Sequence, residues 1–186
     1  MLKKISLISL IIAIALPAGA EVLKYTIDPV HSGINFKVRH FLNKMPGSFT
    51  SFSGEIHYDP ENPANNKAVA TIEVKSVDTR NDDRDAHLQA DDYFNAAAHP
   101  TIEFASTEWV PTGENTFLVK GVLEMMGQSL PVEMEVTYLG EMEARGKVRS
   151  GWEGTTTLDR SQWGQTSGQP AVGLEVQVEL NIQAHR

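Results

Sequence analysis

Two-residue alternation of apolar and polar positions dominates this chain. Ile34, Phe36, Val38 and His40 alternate with Asn35, Lys37 and Arg39, and Phe52, Gly54, Ile56 and Tyr58 repeat the pattern. Successive side chains of a strand point to opposite faces, so the pattern predicts strands with one buried face. It returns over residues 68–77, 101–110, 116–125, 132–138 and 147–158. It is clearest where Val176, Val178, Leu180 and Ile182 alternate with Glu175, Gln177, Glu179 and Asn181. A short first strand, residues 23–27, stops at Asp28-Pro29. Asp59-Pro60-Glu61-Asn62-Pro63 reads as a turn, and Pro111-Thr112-Gly113-Glu114-Asn115 as a hairpin loop.

One stretch breaks the alternation. Residues 78–94 form a charged island in which Asn81 or Thr79 is placed to cap a short helix and Asp82 and Asp83 suit its positive end. Arg84, His87, Leu88 and Asp91 fall on one face, with Leu88 the only large apolar residue. This spacing predicts a lid or plug rather than a core helix.

Eight or nine antiparallel strands fit a sandwich or a closed barrel, and periodicity does not separate the two. In a barrel the inward positions would include Ile34, Phe36, Val38, Ile102, Phe104, Phe117, Val119, Leu123, Val132, Met134, Val136, Val148, Trp152 and Val178. Gly54, Gly121 and Gly154 within strands are compatible with room for a ligand or with bulges. No internal repeat, low-complexity tract or linker appears, so residues 21–186 read as a single domain.

The first 20 residues read differently. Lys3 and Lys4 precede twelve apolar or small residues, 5–16, and Pro17-Ala18-Gly19-Ala20 supplies a small-x-small cleavage pattern. This predicts a cleaved signal peptide over residues 1–20, with Glu21 first in the mature chain. The apolar run is too short to cross a bilayer, for which ~20 residues are needed, so no integral membrane span is expected. Removing 20 of the 186 residues leaves 166, and losing Lys3 and Lys4 moves the formal charge from −8 to −10. That acidity argues against nucleic acid, whose phosphates call for clustered Lys and Arg. Cysteine is absent, which excludes disulfides and thiol chemistry.

The charged island (Asp78-Thr79-Arg80-Asn81-Asp82-Asp83-Arg84-Asp85-Ala86-His87-Leu88, then Tyr93-Phe94) also has a family character. With Asp28-Pro29-Val30-His31-Ser32 before it and His99-Pro100-Thr101-Ile102-Glu103-Phe104-Ala105-Ser106 after it, the chain resembles the YceI-like family of periplasmic polyisoprenoid- and lipid-binding proteins. The resemblance runs from about Tyr25 to the C-terminus. It implies an all-β, lipocalin-like, antiparallel up-and-down β-barrel of about eight strands, with a short helical segment between strands. It also implies a periplasmic location and a long isoprenoid or acyl lipid as partner. The Asp159-Arg160-Ser161-Gln162-Trp163-Gly164 loop keeps the family's Arg and its aromatic-Gly pair. Arg80 stands where Gly is usual, and Met126-Gly127-Gln128-Ser129-Leu130-Pro131 replaces a turn with His and Lys at the positions of Met126 and Leu130.

Chemistry is sparse. The six histidines and many carboxylates include His31-Ser32 and Asp85 with His87, yet no Gly-x-Ser-x-Gly elbow and no His-Glu-x-x-His occurs. Hydrogen bonding within the fold is the expected role of His31, Arg84, Asp85 and Arg160. No catalytic residue, metal or cofactor is therefore predicted, and an isoprenoid or isoprenoid quinone would be a ligand. The favoured function is a carrier for a polyisoprenoid, an isoprenoid quinone or a fatty-acyl amphiphile, lined by Phe36, Val38, Phe104, Phe117, Met134 and Trp152, with Trp163 near the mouth. An enzyme acting on a periplasmic lipid or quinone near His40 or His87 is the second reading. A structural stress-response protein with a filled barrel is the third. Self-association as a homodimer stays open.

Overall fold

The structure, a computed structural model, describes residues 21–186; the predicted leader lies outside them. In chain order it contains β1 (Leu23–Ile27), β2 (Gly33–His40), β3 (Asn43–Phe49), β4 (Phe52–Tyr58), β5 (Lys67–Glu73) and β6 (Val77–Asp78). After these come α1 (Asp82–Leu88), β7 (Thr101–Gly113), β8 (Thr116–Met125), β9 (Gln128–Ala144), β10 (Lys147–Asp159) and β11 (Val172–His185). Every pairing is antiparallel, and β1, β4, β5, β7, β8, β9, β10 and β11 close a ring of eight. The predicted barrel is thus the fold, and closure removes the exposed edges that an open sheet would present.

One position in the ring is shared. Near its C-terminus β11 pairs with β1 through Thr26↔His185 and Ile27↔Ala184. From Val172 to Asn181 it pairs instead with β2. The chain crosses between these two stations at the Asp28-Pro29-Val30-His31-Ser32 motif. The Asp28 carboxylate accepts from Val30 N (3.1 Å), His31 Nδ1 (2.9 Å) and Gln183 Nε2 (3.3 Å). The Ser32 hydroxyl donates to Gln183 O and accepts from Gln183 N. These bonds satisfy a backbone that leaves one strand partner before it reaches the next. They also occupy the Ser32 hydroxyl and the His31 Nδ1.

Several elements depart from the alternation. β3 breaks the period because Pro46 and Gly47 lie within it, yet it pairs with β2 over its whole length. The 68–77 segment is not one strand: β5 stops at Glu73, and a 3-10 turn (Val74–Ser76) leads into the two-residue β6. Pro111, Thr112 and Gly113 extend β7, leaving only Glu114 and Asn115 as the hairpin turn, with Asn115 at φ 59°. α1 ends at Leu88, so Asp91 lies beyond it. Arg80 sits at φ 63°, the left-handed region that Gly enters without steric cost; this accounts for the family's Gly at that position.

Candidate functional site

The two ends of the barrel are closed by different chemistry. At one end, here called the floor, aromatic side chains converge from five strands. Trp152 lies 4.5 Å from Tyr138, 5.1 Å from Tyr58 and 5.9 Å from Trp109 between ring centroids, and Phe117 lies 5.4 Å from Trp109. Tilted and edge-to-face arrangements at such distances are the favourable ones. The polar tips are satisfied: Trp152 Nε1 donates to Ser150 Oγ at 3.0 Å and Trp109 Nε1 to Ser106 Oγ at 3.1 Å. Beneath them the Tyr25 hydroxyl donates to Glu141. Burial pushes the phenols of Tyr25, Tyr58 and Tyr138 above the ordinary tyrosine value.

The opposite end is the lid. Asn81 caps α1 by accepting from Arg84 N at 2.9 Å. Arg84 and Asp85 both fold back onto Thr79, just before the helix. Arg84 Nε donates to Thr79 Oγ1 and its Nη2 to Thr79 O, each at 2.7 Å. Asp85 accepts from Thr79 N at 2.9 Å and from the Thr79 hydroxyl. The segment is thereby a self-braced clasp that presents Leu88, Tyr93 and Phe94 to the barrel. Phe94 meets Phe49 edge-on at 5.8 Å, and Phe49 in turn meets Phe36 at 5.7 Å, so an aromatic chain joins lid to wall.

Between floor and lid lies a cavity of ≈ 250 Å³. Its wall is almost wholly apolar and draws on inward positions all round the ring. Phe36, Val38, Phe104, Met134 and Trp152 border it, from four different strands. The inward residues Phe36, Val38, Phe104 and Met134 are only half-buried, because part of their surface faces this space rather than neighbouring side chains. Two of the sequence-derived residues lie elsewhere. Phe117 belongs to the floor cluster, against Trp109 and Tyr58. Trp163, 1% exposed, is packed behind the wall with its Nε1 donating to Leu123 O at 3.2 Å.

Gly154 borders the cavity, but Gly54 and Gly121 do not hold space for a ligand. A Cβ at Gly121 would run into the Phe104 ring and stand 2.7 Å from Ala105 O, and one at Gly54 would meet Ile27 Cδ1 at 2.8 Å. These glycines let neighbouring side chains and backbone close in. What the sequence did not assign to the wall is its polar pair, Arg160 and Gln165, both buried and both bordering the cavity at the lid end. Among the described residues no group of three or more His, Asp or Glu side chains is placed to hold a metal ion.

Fold and cavity together define a small closed antiparallel barrel with an apolar, lidded interior. The chain belongs to the YceI-like family, whose domain model matches residues 25–184. Among curated relatives, a UPF0312 protein of Vibrio cholerae is 34% identical, with 96% of this chain and 98% of that protein covered. A UPF0312 protein of Ectopseudomonas mendocina is also 34% identical, over 100% of both chains. The crystal structure of Burkholderia cenocepacia BcnA superposes with a TM-score of 0.73 at 25% identity, covering 84% of this chain and 98% of that one. A polyisoprenoid-binding domain from Saccharophagus degradans superposes at 0.67 and 15% identity, covering 86% of this chain and 97% of that one; this second likeness is one of fold.

Proposed function

We propose that this protein is a periplasmic carrier that holds the chain of a polyisoprenoid, an isoprenoid quinone or a fatty-acyl amphiphile inside its barrel. The observation that supports the reading best is the ≈ 250 Å³ apolar cavity between the aromatic floor and the clasp. A cavity of about 150 Å³ takes a benzene ring, so this one has room for roughly ten chain carbons. At ~0.8 kcal/mol per buried methylene, ten carbons approach the ~8 kcal/mol of a micromolar complex before ordering costs. A longer chain requires the clasp to lift or the wall to repack. The polyisoprenoid binding named for the Saccharophagus domain agrees with this ligand class. For location, the support is the export pattern of residues 1–20; among the described residues no helix is long and apolar enough to cross a membrane.

The test is purification from an osmotic-shock fraction, followed by N-terminal sequencing, solvent extraction and mass spectrometry. The reading expects Glu21 at the N-terminus and a stoichiometric long-chain lipid in the extract. Met1 on the purified protein removes the export reading. A lipid-free extract, from protein that also fails to bind added lipid, leaves the barrel a structural one.

A further inference from the structure

The lid end of the cavity contains an electrostatic imbalance. Arg160 is 4% exposed and Gln165 5% exposed, in a wall that is otherwise mostly apolar. Arg160 begins the 3-10 turn Arg160–Trp163, and Gln165 N donates to Arg160 O at 3.2 Å, which holds the two residues together. Three of the guanidinium's bonds are made: Nε to Gly173 O at 2.8 Å, and Nη2 to Ser167 O at 2.7 Å and Val172 O at 3.4 Å. Its Nη1 and the Nε2 of Gln165 are buried and have no partner among the described residues. Nor does any carboxylate among them form an ion pair with Arg160. The adjacent Asp159 makes no bond to it, its Oδ1 accepting from Ser161 N and Oγ at 2.9 and 2.6 Å.

Each unmade hydrogen bond leaves a desolvation cost uncompensated, and a buried charge without a counter-charge leaves a larger one. Carbonyl oxygens satisfy guanidinium N–H groups but do not neutralise them. Both orphaned atoms are donors, so they accept no proton from a ligand and recognise only an acceptor. An amine head would be repelled, and a hydroxyl would supply an oxygen without the charge. Resting on the carrier reading, we propose that the bound amphiphile has an oxyanionic head, a carboxylate or a phosphate. That head lies against Arg160 and Gln165 at the lid end, and the tail points toward Trp152 on the floor. Charge-assisted bonds from a guanidinium are the strong class, so the head sets selectivity while the wall supplies affinity.

The test is a head-group series at fixed tail length, matched to the roughly ten carbons the cavity admits. Delipidated, refolded protein is titrated calorimetrically at neutral pH with decanoate, decyl phosphate, decan-1-ol and decylamine. Decanoate or decyl phosphate is expected to bind about tenfold or more tighter than decanol, with decylamine weakest; the tighter of the two anions identifies the head. Arg160→Met and Gln165→Leu should each shrink the anion-over-alcohol preference. Equal binding of decanol and the anions by the unmodified protein overturns the head assignment, with water serving the two donors, and leaves the carrier standing. Failure of every decyl compound to bind removes the carrier reading and the head assignment with it. Arg160 also braces the loop at Ser167, so Gln165→Leu and the unmodified protein decide the matter if Arg160→Met does not fold.

Discussion

Gly47 stands directly opposite Phe36 across the β2–β3 pair, and the Phe36 ring occupies the space that a Cβ on Gly47 would need. The absence of a side chain on one strand thus sets the position of a cavity-lining aromatic on its neighbour. Gly121 stands opposite Ser106, yet the Phe104 ring likewise fills the place of its Cβ, which would also meet the backbone oxygen of Ala105.

This difference gives a paired prediction. Gly47→Ala needs only the tip of a side chain to move, and it should cost about 1 kcal/mol while driving the Phe36 ring toward the cavity. Gly121→Ala meets backbone as well and should cost about 3 kcal/mol, the upper part of the range for overpacked sites. Urea denaturation reports the stabilities, and retention of a decyl ligand reports the cavity. Equal losses of stability in the two variants would refute the distinction.

Substitutions in the wall and in the floor should part company. Phe104→Asp puts a carboxylate beside the cavity, where desolvation is costly, and is expected to abolish lipid retention in a protein that still folds. Trp152 is the hub of the floor cluster, touching Tyr58, Trp109 and Tyr138. Trp152→Asp should unfold the barrel rather than merely empty it, since losing such a core aromatic costs about 3–5 kcal/mol before the charge is counted. Glu103→Ala, on the exposed face beside Phe104, should change neither property. A folded Phe104→Asp variant that keeps its lipid would place the binding site elsewhere.

The clasp should loosen independently of the ring. Arg84 holds the segment through Thr79 alone, so Arg84→Ala is expected to raise amide exchange over residues 79–96 by at least about tenfold. The strands β8 to β11 should keep their protection, because their ladders do not depend on Thr79. Exchange that rises uniformly through the chain would show that the clasp and the ring unfold together.

Acid should weaken the corners before the core. Asp28 is held below the usual carboxylate range chiefly by its bond to His31, Asp59 by Asn65, and Asp159 by Ser161. A carboxylate with a lowered folded-state pKa adds stability that is fully present above its unfolded value, near 4. That stability is lost as pH falls through the lowered value. The melting temperature should therefore be nearly flat from about pH 7 to 5 and fall below about pH 4. Asp59→Asn should melt lower than the unmodified protein at pH 7, with the gap closing toward pH 3. A gap that stays constant across that range, measured by calorimetry, would rule out this origin of the acid sensitivity.

Much of the barrel was legible because alternation is a direct image of a strand with one wet and one dry face. Phe36, Val38, Phe104 and Met134 were placed inward by parity alone, and the structure sets them around one space. Closure into a ring was not legible in the period; it came from the family resemblance of the Asp28–Ser32 and Asp78–Phe94 motifs. β3 stayed hidden because its Gly47 is present for the Phe36 ring, a cross-strand reason with no signature within the strand. Parity also misplaced Phe117: it gives the face of a residue but not its height along the barrel axis, and at that height the interior is already filled. Arg160 was read as a structural hydrogen bonder, which it is. Its unspent donor depends on loops separated in sequence, which no local pattern encodes.

The position shared by β1 and β2 on β11 has a consequence for how the molecule is made. β11 pairs with β10 from Asp159↔Glu175 to Arg149↔His185, and its other side receives β2 and then β1, the first strands of the chain. The fourteen residues of β11 therefore join the two ends of the sheet, and until they exist the ring is an open ribbon with two raw edges. Contacts so distant in sequence carry the highest loop-closure entropy and form slowly. A nascent chain cannot acquire its native interior before β11 has been made and is free to pair, so the barrel shuts in one step that waits for that strand. Loss of a short C-terminal piece should accordingly act like a broken hoop, letting the whole circumference spring open rather than trimming one stave.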